Sequence, residues 1–473
     1  MNKNITNSNL HRGLTNRHLQ LLAIGGTIST GLFLGVGQTI IEAGPSTILA
    51  YLLAGVICFF SMRVLGEMLL SNLEFKTFRD IASAYLGHWS GFLIGCIYWF
   101  VWISVSILDS LAAAIYLRDY IPDVPLWIPS LIIIIIIFLV NTGGVKNFGE
   151  AEFWLALIKI IAIIMLIVVG IYLLITGYTY QFSFSESSSF FAETLSANIS
   201  NLWKFGGFFP NGFVGFGAGF QMAFFAYGGI ESIASTSAET KNQEKTMPKA
   251  INSIPVRILL FYVLAVFVIL CCVPWNRITM LQGSPFANIF NAVGLPGVGI
   301  FMIVVLLSAA TSGANAGIYV SSRMIYGLAS DGQIPKIFAK LNRFHIPAVA
   351  LVFCSSITAA IVTLGAILFS DPMNAFIFFA SMATVGISSV WILVLLTYFI
   401  YRKKYPLLHK NSEFKAPAGI VISSLSIAMF IIMYILMFFS SDTRLAIFVT
   451  LIVAVIISII YKIRIKNKEN LNF

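Results

Sequence analysis

Three ionisable side chains stand inside long apolar stretches: Lys159, Asp109 and Glu231. A charge at such a depth costs about 2.5 to 3.5 kcal/mol, so each needs a reason to be there. Lys159 lies about nine residues, roughly 13 Å at helical rise, from the nearest polar hinge. Its ammonium either snorkels to the membrane surface or pairs with freed backbone carbonyls as a sodium ion would, where it is able to exchange a proton. Asp109, in Ser104-Val105-Ser106-Ile107-Leu108-Asp109-Ser110, either counters an ammonium or relays a proton, or it makes a neutral hydrogen-bonded helix contact. Glu231 follows the glycine-rich break of the sixth span and is either a coupling carboxylate or a structural brace. Ser308, Thr311, Ser312 and Asn315 form a polar stripe at helical spacing that either bonds a neighbouring helix or lines a cavity.

Two glycine-rich stretches supply the remaining chemistry. They are Gly25-Gly26-Thr27-Ile28-Ser29-Thr30-Gly31 and Phe225-Ala226-Tyr227-Gly228-Gly229-Ile230-Glu231. Either they let helices pack closely, or they interrupt a helix. Non-helical backbone survives at membrane depth only against protein or a water-filled cavity, because lipid satisfies no amide or carbonyl. An interrupted helix offers an N-terminus that favours an anion and a C-terminus whose carbonyls favour a cation. A zwitterion matches both.

The elements that must position these groups are membrane spans. Of 473 residues, 58% are hydrophobic, 14% aromatic and only 10% charged, with a mean hydropathy of +0.91. Soluble domains carry about 25% charged residues, so a water-soluble globule is excluded. Apolar runs between turn signals predict spans near 18–41, 45–70, 91–117, 127–145, 150–176, 211–238, 254–274, 296–327, 346–369, 373–401, 417–439 and 443–462. With the N-terminus inside, inner segments hold about 24 of the 29 Lys and Arg residues. Outer segments hold only Arg118, Lys204, Arg277 and Arg444. The net charge of +10 therefore reflects membrane orientation, and no nucleic-acid partner is implied. The two glycine-rich breaks are separated by five spans, an odd number, so the second enters from the opposite side. The expected fold is an all-α integral membrane protein of about 12 transmembrane helices: a five-plus-five inverted repeat with helices 1 and 6 broken, plus two C-terminal helices.

The corresponding domains are a cytoplasmic arm at 1–17, a first repeat at 18–176, a second at 211–401, two further helices at 417–462 and a cytoplasmic tail at 463–473. The outer connection at 177–210 is expected to be a surface segment with a short helix and no chemistry. Glu42, Arg63, Glu67 and Arg118 fall near span ends and read as interfacial anchors or gate salt bridges. Five cysteines without framework spacing fit small core residues. The five histidines all fall in loops or at span ends, and there is no HExxH, phosphate-binding loop or acidic metal pair, so an enzyme and a metal site are not expected.

The chain resembles the amino-acid permeases of the amino acid, polyamine and organocation transporter superfamily over nearly its whole length. Carrying residues are Leu14-Thr15-Asn16-Arg17-His18, the glycine-rich first span, Phe153-Trp154 with Lys159, Ala238-Glu239-Thr240-Lys241 and Ser321-Ser322-Arg323-Met324. Through Leu70-Ser71-Asn72-Leu73-Glu74-Phe75, Ala250-Ile251-Asn252-Ser253-Ile254-Pro255 and Asp442-Thr443-Arg444 it is similar to the small-substrate branch that carries D-serine, D-alanine and glycine. The resemblance implies alternating access and proton-coupled symport of small neutral amino acids into the cell, with the proton as coupling ion and no other cofactor. It places amides of Thr30 and Gly31 on the substrate carboxylate, and carbonyls of Thr27, Phe225 and Gly228 on its ammonium, with Phe225 as an aromatic gate and Ala226 beside it. Lys159 matches the family's span-five lysine beside the first helix. Asp109 matches an acidic span-three position that is Asp in the small-substrate permeases. The family usually reads Gly-x-Gly where this chain has Ser29-Thr30-Gly31, so Ser29 adds a hydroxyl donor or narrows the pocket. The implied partners are an amino-acid substrate and the lipid bilayer of the cytoplasmic membrane, with both termini inside and no obligatory protein partner. A permease for another amino acid, an exchanger, and a membrane sensor remain alternatives.

Overall fold

The computed structural model describes residues 28–75, 77–118, 120–143, 145–186, 189–231, 243–278, 284–292, 298–369 and 371–464. Gly25, Gly26 and Thr27 of the first break, the arm at 1–17 and most of the tail lie outside them.

The chain is helical almost throughout. In lipid a backbone must satisfy its own amides and carbonyls, and a helix does so within one segment. The helices are α1 (Thr30–Phe33), α2 (Gly35–Ala43), α3 (Thr47–Ser71), α4 (Phe78–Leu86), α5 (His88–Leu117), α6 (Trp127–Thr142), α7 (Val145–Thr176) and α8 (Gly212–Phe225). They continue with α9 (Gln243–Asn252), α10 (Ile254–Arg257), α11 (Leu264–Cys272), α12 (Trp275–Ile278), α13 (Pro285–Ala292) and α14 (Val298–Ser330). The last are α15 (Ala348–Leu368), α16 (Pro372–Lys404), α17 (Pro406–Asn411), α18 (Gly419–Phe439) and α19 (Ser441–Arg464). Among the described residues, nine helical stretches are long and apolar enough to cross a membrane, and α6 and α8 are shorter apolar helices. One stretch, Gly35–Ser71, has 37 residues, nearly twice the roughly 20 that a crossing needs. It contains the outer part of the first span and all of the second, joined by a tight turn at Gly44–Ser46.

α5 and α16 form the centre. In each, 78% of the most apolar window is buried inside the protein, against 28% and 22% in α18 and α19. α14 and α16 both pack along α5, whereas α18 and α19 lean on α16 and leave Leu425, Ile452 and Ile459 outward. That is the pattern of a bundle interior and of lipid-facing flanks.

The connection at 177–210, expected to hold a short helix, carries in addition an antiparallel hairpin, β1 (Thr179–Glu186) and β2 (Ser189–Ser196), in register from Thr179↔Ser196 to Glu186↔Ser189. The only helix there among the described residues is a single 3-10 turn at Ile199–Leu202. The period-two run Tyr180, Phe182, Phe184 between Gln181, Ser183 and Ser185 favours a strand over a helix. Asn201 ties this segment to the seventh span by donating to the Cys271 carbonyl at 2.9 Å. The seventh span begins at Ile254, as expected, after a polar helix at Gln243–Asn252 that ends in a turn at Ser253, and it passes through a π-helical turn at Ile258–Val263. The five cysteines are free.

Candidate functional site

Among the described residues, the first span is non-helical at Ile28 and Ser29, and helix begins at Thr30. Ser29 is extended (φ −123°, ψ −172°) and its hydroxyl accepts from the Gly31 amide at 3.4 Å, so it caps the new helix. In the sixth span, α8 ends at Phe225 and residues 226–231 form successive turns. The Gly228 amide reaches back to the Phe225 carbonyl at 2.8 Å. Gly229 has φ +94°, a conformation that L side chains rarely adopt. The residues after Glu231 that would complete the span lie outside the described set.

The two breaks touch. A Cβ at Gly31 would lie 2.9 Å from Ala226 Cα and 3.1 Å from the Phe225 ring, so only a missing side chain allows this approach. Beside the contact is a small, mainly apolar cavity lined by Ser29, Phe225, Gly228, Gly229 and Glu231, with Trp102, Val105, Gly313, Ala383 and Ile387 from α5, α14 and α16. It thus gathers Ser29, Phe225, Gly228 and Glu231 of the sequence candidates. Thr30, Gly31 and Ala226 adjoin these residues in the chain without lining it. Tyr98 of α5 donates to Glu231 Oε1 at 3.0 Å, while Glu231 Oε2 has no hydrogen-bond partner among the described residues.

Asp109 is fully buried in α5. The Thr30 hydroxyl donates to its Oδ1, and Oδ2 has no hydrogen-bond partner among the described residues. A Cβ at Gly313 would sit 1.9 Å from Oδ2, so the carboxylate occupies the space that this glycine vacates. Lys159, 1% exposed, donates to the Ile28 carbonyl at 2.8 Å and to Ser312 Oγ at 3.0 Å. Its ammonium therefore points into the bundle at the first break, away from the membrane surface.

Ser312 and Asn315 turn their polar ends elsewhere than the cavity. Ser312 Oγ donates to Glu152 Oε2 at 2.6 Å, and Asn315 Nδ2 donates to Glu152 Oε1 at 2.7 Å. Asn315 Oδ1 accepts from Asn141 Nδ2 at 2.7 Å. Glu152, 1% exposed, was absent from the sequence candidates because it falls near the start of span five. Its signal was its position seven residues before Lys159, two turns away on one helix face. Asn141 was likewise missed, although it ends the run Ile132–Val140 with the first amide in that span.

A second polar cluster lies at one end of α3. Glu67 is wholly buried, deeper than an interfacial anchor. It accepts from Tyr398 OH at 3.0 Å and the Ala416 amide at 2.7 Å, and it contacts His409 Nδ1 at 2.5 Å. Arg63, one turn away, donates to Asn252 Oδ1 at 2.9 Å and the Lys415 carbonyl at 2.5 Å and lies over the Phe414 ring.

Ser29, Phe225, Gly228 and Glu231 thus meet at one cavity inside the bundle, with Lys159, Asp109 and Glu152 buried nearby. The profile of the amino acid permease family matches residues 18–472, and the chain belongs to that family. It is 43% identical over 444 residues to the D-serine/D-alanine/glycine transporter of Escherichia coli (strain K12), covering 93% of this chain and 91% of the relative. It is also 43% identical to the amino-acid permease AapA of Bacillus subtilis (strain 168) over 96% of this chain and 95% of that one. The same identity relates it to the uncharacterised transporter YdgF of that organism, over 98% and 97%. The chain is thus a multi-pass membrane protein of a family that transports amino acids, and not an enzyme.

Proposed function

We propose that the protein is a proton-coupled symporter that brings small neutral amino acids, D-alanine, D-serine and glycine among them, across the cytoplasmic membrane by alternating access. The observation that carries this reading is the meeting of the two breaks at Gly31 and Ala226 with Lys159 on the Ile28 carbonyl. An amino acid there offers its carboxylate to the amides of Thr30 and Gly31, aided by the Ser29 hydroxyl, and its ammonium to the carbonyls of Phe225 and Gly228. The orphaned Glu231 Oε2, in the cavity lining beside Gly228, adds negative charge for the ammonium, and Asp109 holds Thr30 in place through its hydroxyl. Thr27 keeps its proposed role as a carbonyl ligand, although it falls outside the described residues. The apolar lining by Val105, Ala383 and Ile387 suits a short side chain. The name of the Escherichia coli relative supports the same substrates.

Lys159 is the coupling residue in this reading. A proton moved inward at about 150 mV yields roughly 3.5 kcal/mol, enough for about 300-fold accumulation by one proton per substrate. Both termini are cytoplasmic, as the distribution of Lys and Arg favours. The test is uptake of labelled D-alanine by proteoliposomes under an imposed proton gradient. Wild type accumulates it and Lys159→Ala does not; unchanged concentrative uptake by the variant removes Lys159 from coupling. Competition by glycine and D-serine, but not by lysine or phenylalanine, fixes the substrate class.

A further inference from the structure

The reading above leaves Glu152 without a task, yet a carboxylate that is 1% exposed within an apolar helix needs one. Glu152 and Lys159 share a partner. Ser312 Oγ accepts from Lys159 Nζ at 3.0 Å and donates its own proton to Glu152 Oε2 at 2.6 Å. The hydroxyl is therefore already oriented for transfer in one direction, from the lysine toward the glutamate. The other Glu152 oxygen is held by Asn315, which is held in turn by Asn141, and Asn141 also donates to the Ile137 carbonyl at 2.9 Å. These two amides fix the carboxylate so that Oε2 faces Ser312.

We propose that Glu152 is the proton acceptor from Lys159, with Ser312 as the relay, and that the coupling proton leaves through it toward the cytoplasm. This rests on the symport reading and on the orientation given above. In the transfer, an Nζ–H bond of Lys159 breaks and its proton joins Ser312 Oγ, while the original Ser312 proton passes to Glu152 Oε2. Lysine becomes a neutral amine, serine is regenerated and glutamate becomes a neutral acid. An ammonium and a carboxylate are replaced by two neutral groups, so no charge is separated where separation is costly. Glu152 lies seven residues, about 10 Å, closer than Lys159 to the N-terminal end of α7, which is the cytoplasmic end of that span. Loss of its proton there, and reprotonation of Lys159 from the opposite side in the other access state, completes the cycle. Without its ammonium, Lys159 also holds the Ile28 carbonyl less firmly, which links proton departure to the first break.

The experiment compares gradient-driven accumulation with substrate counterflow, which needs no net proton release, in proteoliposomes containing the full chain and labelled D-alanine. The ratio of accumulation to counterflow is expected to fall about tenfold or more in Glu152→Gln and Ser312→Ala, and to return in Ser312→Thr, which restores a hydroxyl. A wild-type ratio in Glu152→Gln overturns the proposal. So does Ser312→Thr behaving like Ser312→Ala, and that serine pair decides the matter if Glu152→Gln does not fold. Wild-type accumulation that ignores the proton gradient overturns the symport reading and this relay together; a gradient-sensitive wild type with unaffected variants overturns the relay alone.

Discussion

Two groups of buried carboxylates lie at different places in the bundle, and they are partnered differently. Glu67, at one end of α3, has both oxygens engaged by Tyr398, His409 and the Ala416 amide. Asp109 and Glu231, at the helix breaks, each have one oxygen engaged and one without a hydrogen-bond partner among the described residues. A buried polar atom left unmatched costs about 1 to 3 kcal/mol, more when charged, and is retained where a ligand or a reaction uses it. Glu67, engaged on both oxygens by groups from α16, α17 and the segment before α18, acts as a brace between them and α3. In the proposed reading, the free oxygen of Glu231 at the cavity is left for the ammonium of the substrate.

This contrast can be broken by substitution. The largest loss of stability is expected from Glu67→Leu, which leaves the Tyr398 hydroxyl, the Ala416 amide and His409 without their acceptor. Removing one member of a buried pair costs about 3 to 5 kcal/mol, read as a lowered unfolding temperature in detergent. Stability equal to wild type would mean that Glu67 is no brace. Next is Gly313→Ala, whose methyl would meet Asp109 Oδ2 at 1.9 Å; overpacking of this kind costs about 1 to 3 kcal/mol and is expected to lower uptake of every substrate. Gly365→Ala, with its nearest neighbour at 3.6 Å, is the matched control and should do neither.

Tyr98→Phe removes only the hydrogen bond to Glu231 Oε1, so a loss near 1 kcal/mol is expected in the same thermal assay. The smallest stability change belongs to Asp109→Asn, below about 1 kcal/mol, because an amide oxygen still accepts from Thr30. Its effect on binding runs the other way: affinity for labelled D-alanine is expected to fall about tenfold or more, since a hydrogen bond to a charged group is worth about 1.5 to 3 kcal/mol. If Asp109→Asn unfolds the protein while Glu67→Leu does not, the assignment of the two clusters is reversed.

Much of this was legible in the sequence, for physical reasons that can be named. Apolar runs determine the spans, because lipid tolerates little else. The glycine pair at 228–229 lies in the turns that follow Phe225, where a continuous apolar helix would have little use for it, while the pair at 25–26 lies outside the described residues. Lys159 stood out as a charge without a nearby hinge, and its contact with Ile28 follows from what an ammonium must find inside a bundle. Glu152 did not stand out: near a span end a carboxylate looks solvated, and only packing of α14 over it encloses it beside Ser312 and Asn315. Of the two readings of Glu67, anchor or gate salt bridge, its contact with His409 fits the second, and its full burial comes from the segment Tyr398 to Ala416, more than 300 residues away in sequence. The hairpin at 179–196 shows the opposite case: the reading of this connection as a surface segment with a short helix left its period-two pattern unused.

The central claim is that facing helix breaks grip both charges of a free amino acid. It is tested most directly by displacement of labelled D-alanine from the purified wild-type protein, using unlabelled D-alanine, its methyl ester and its N-acetyl derivative. Each derivative keeps the side chain and removes one of the two charges. D-alanine alone should displace the label, with both derivatives weaker by about a hundredfold, the equivalent of roughly 2.7 kcal/mol. Displacement by either derivative as effective as that by D-alanine would contradict the account.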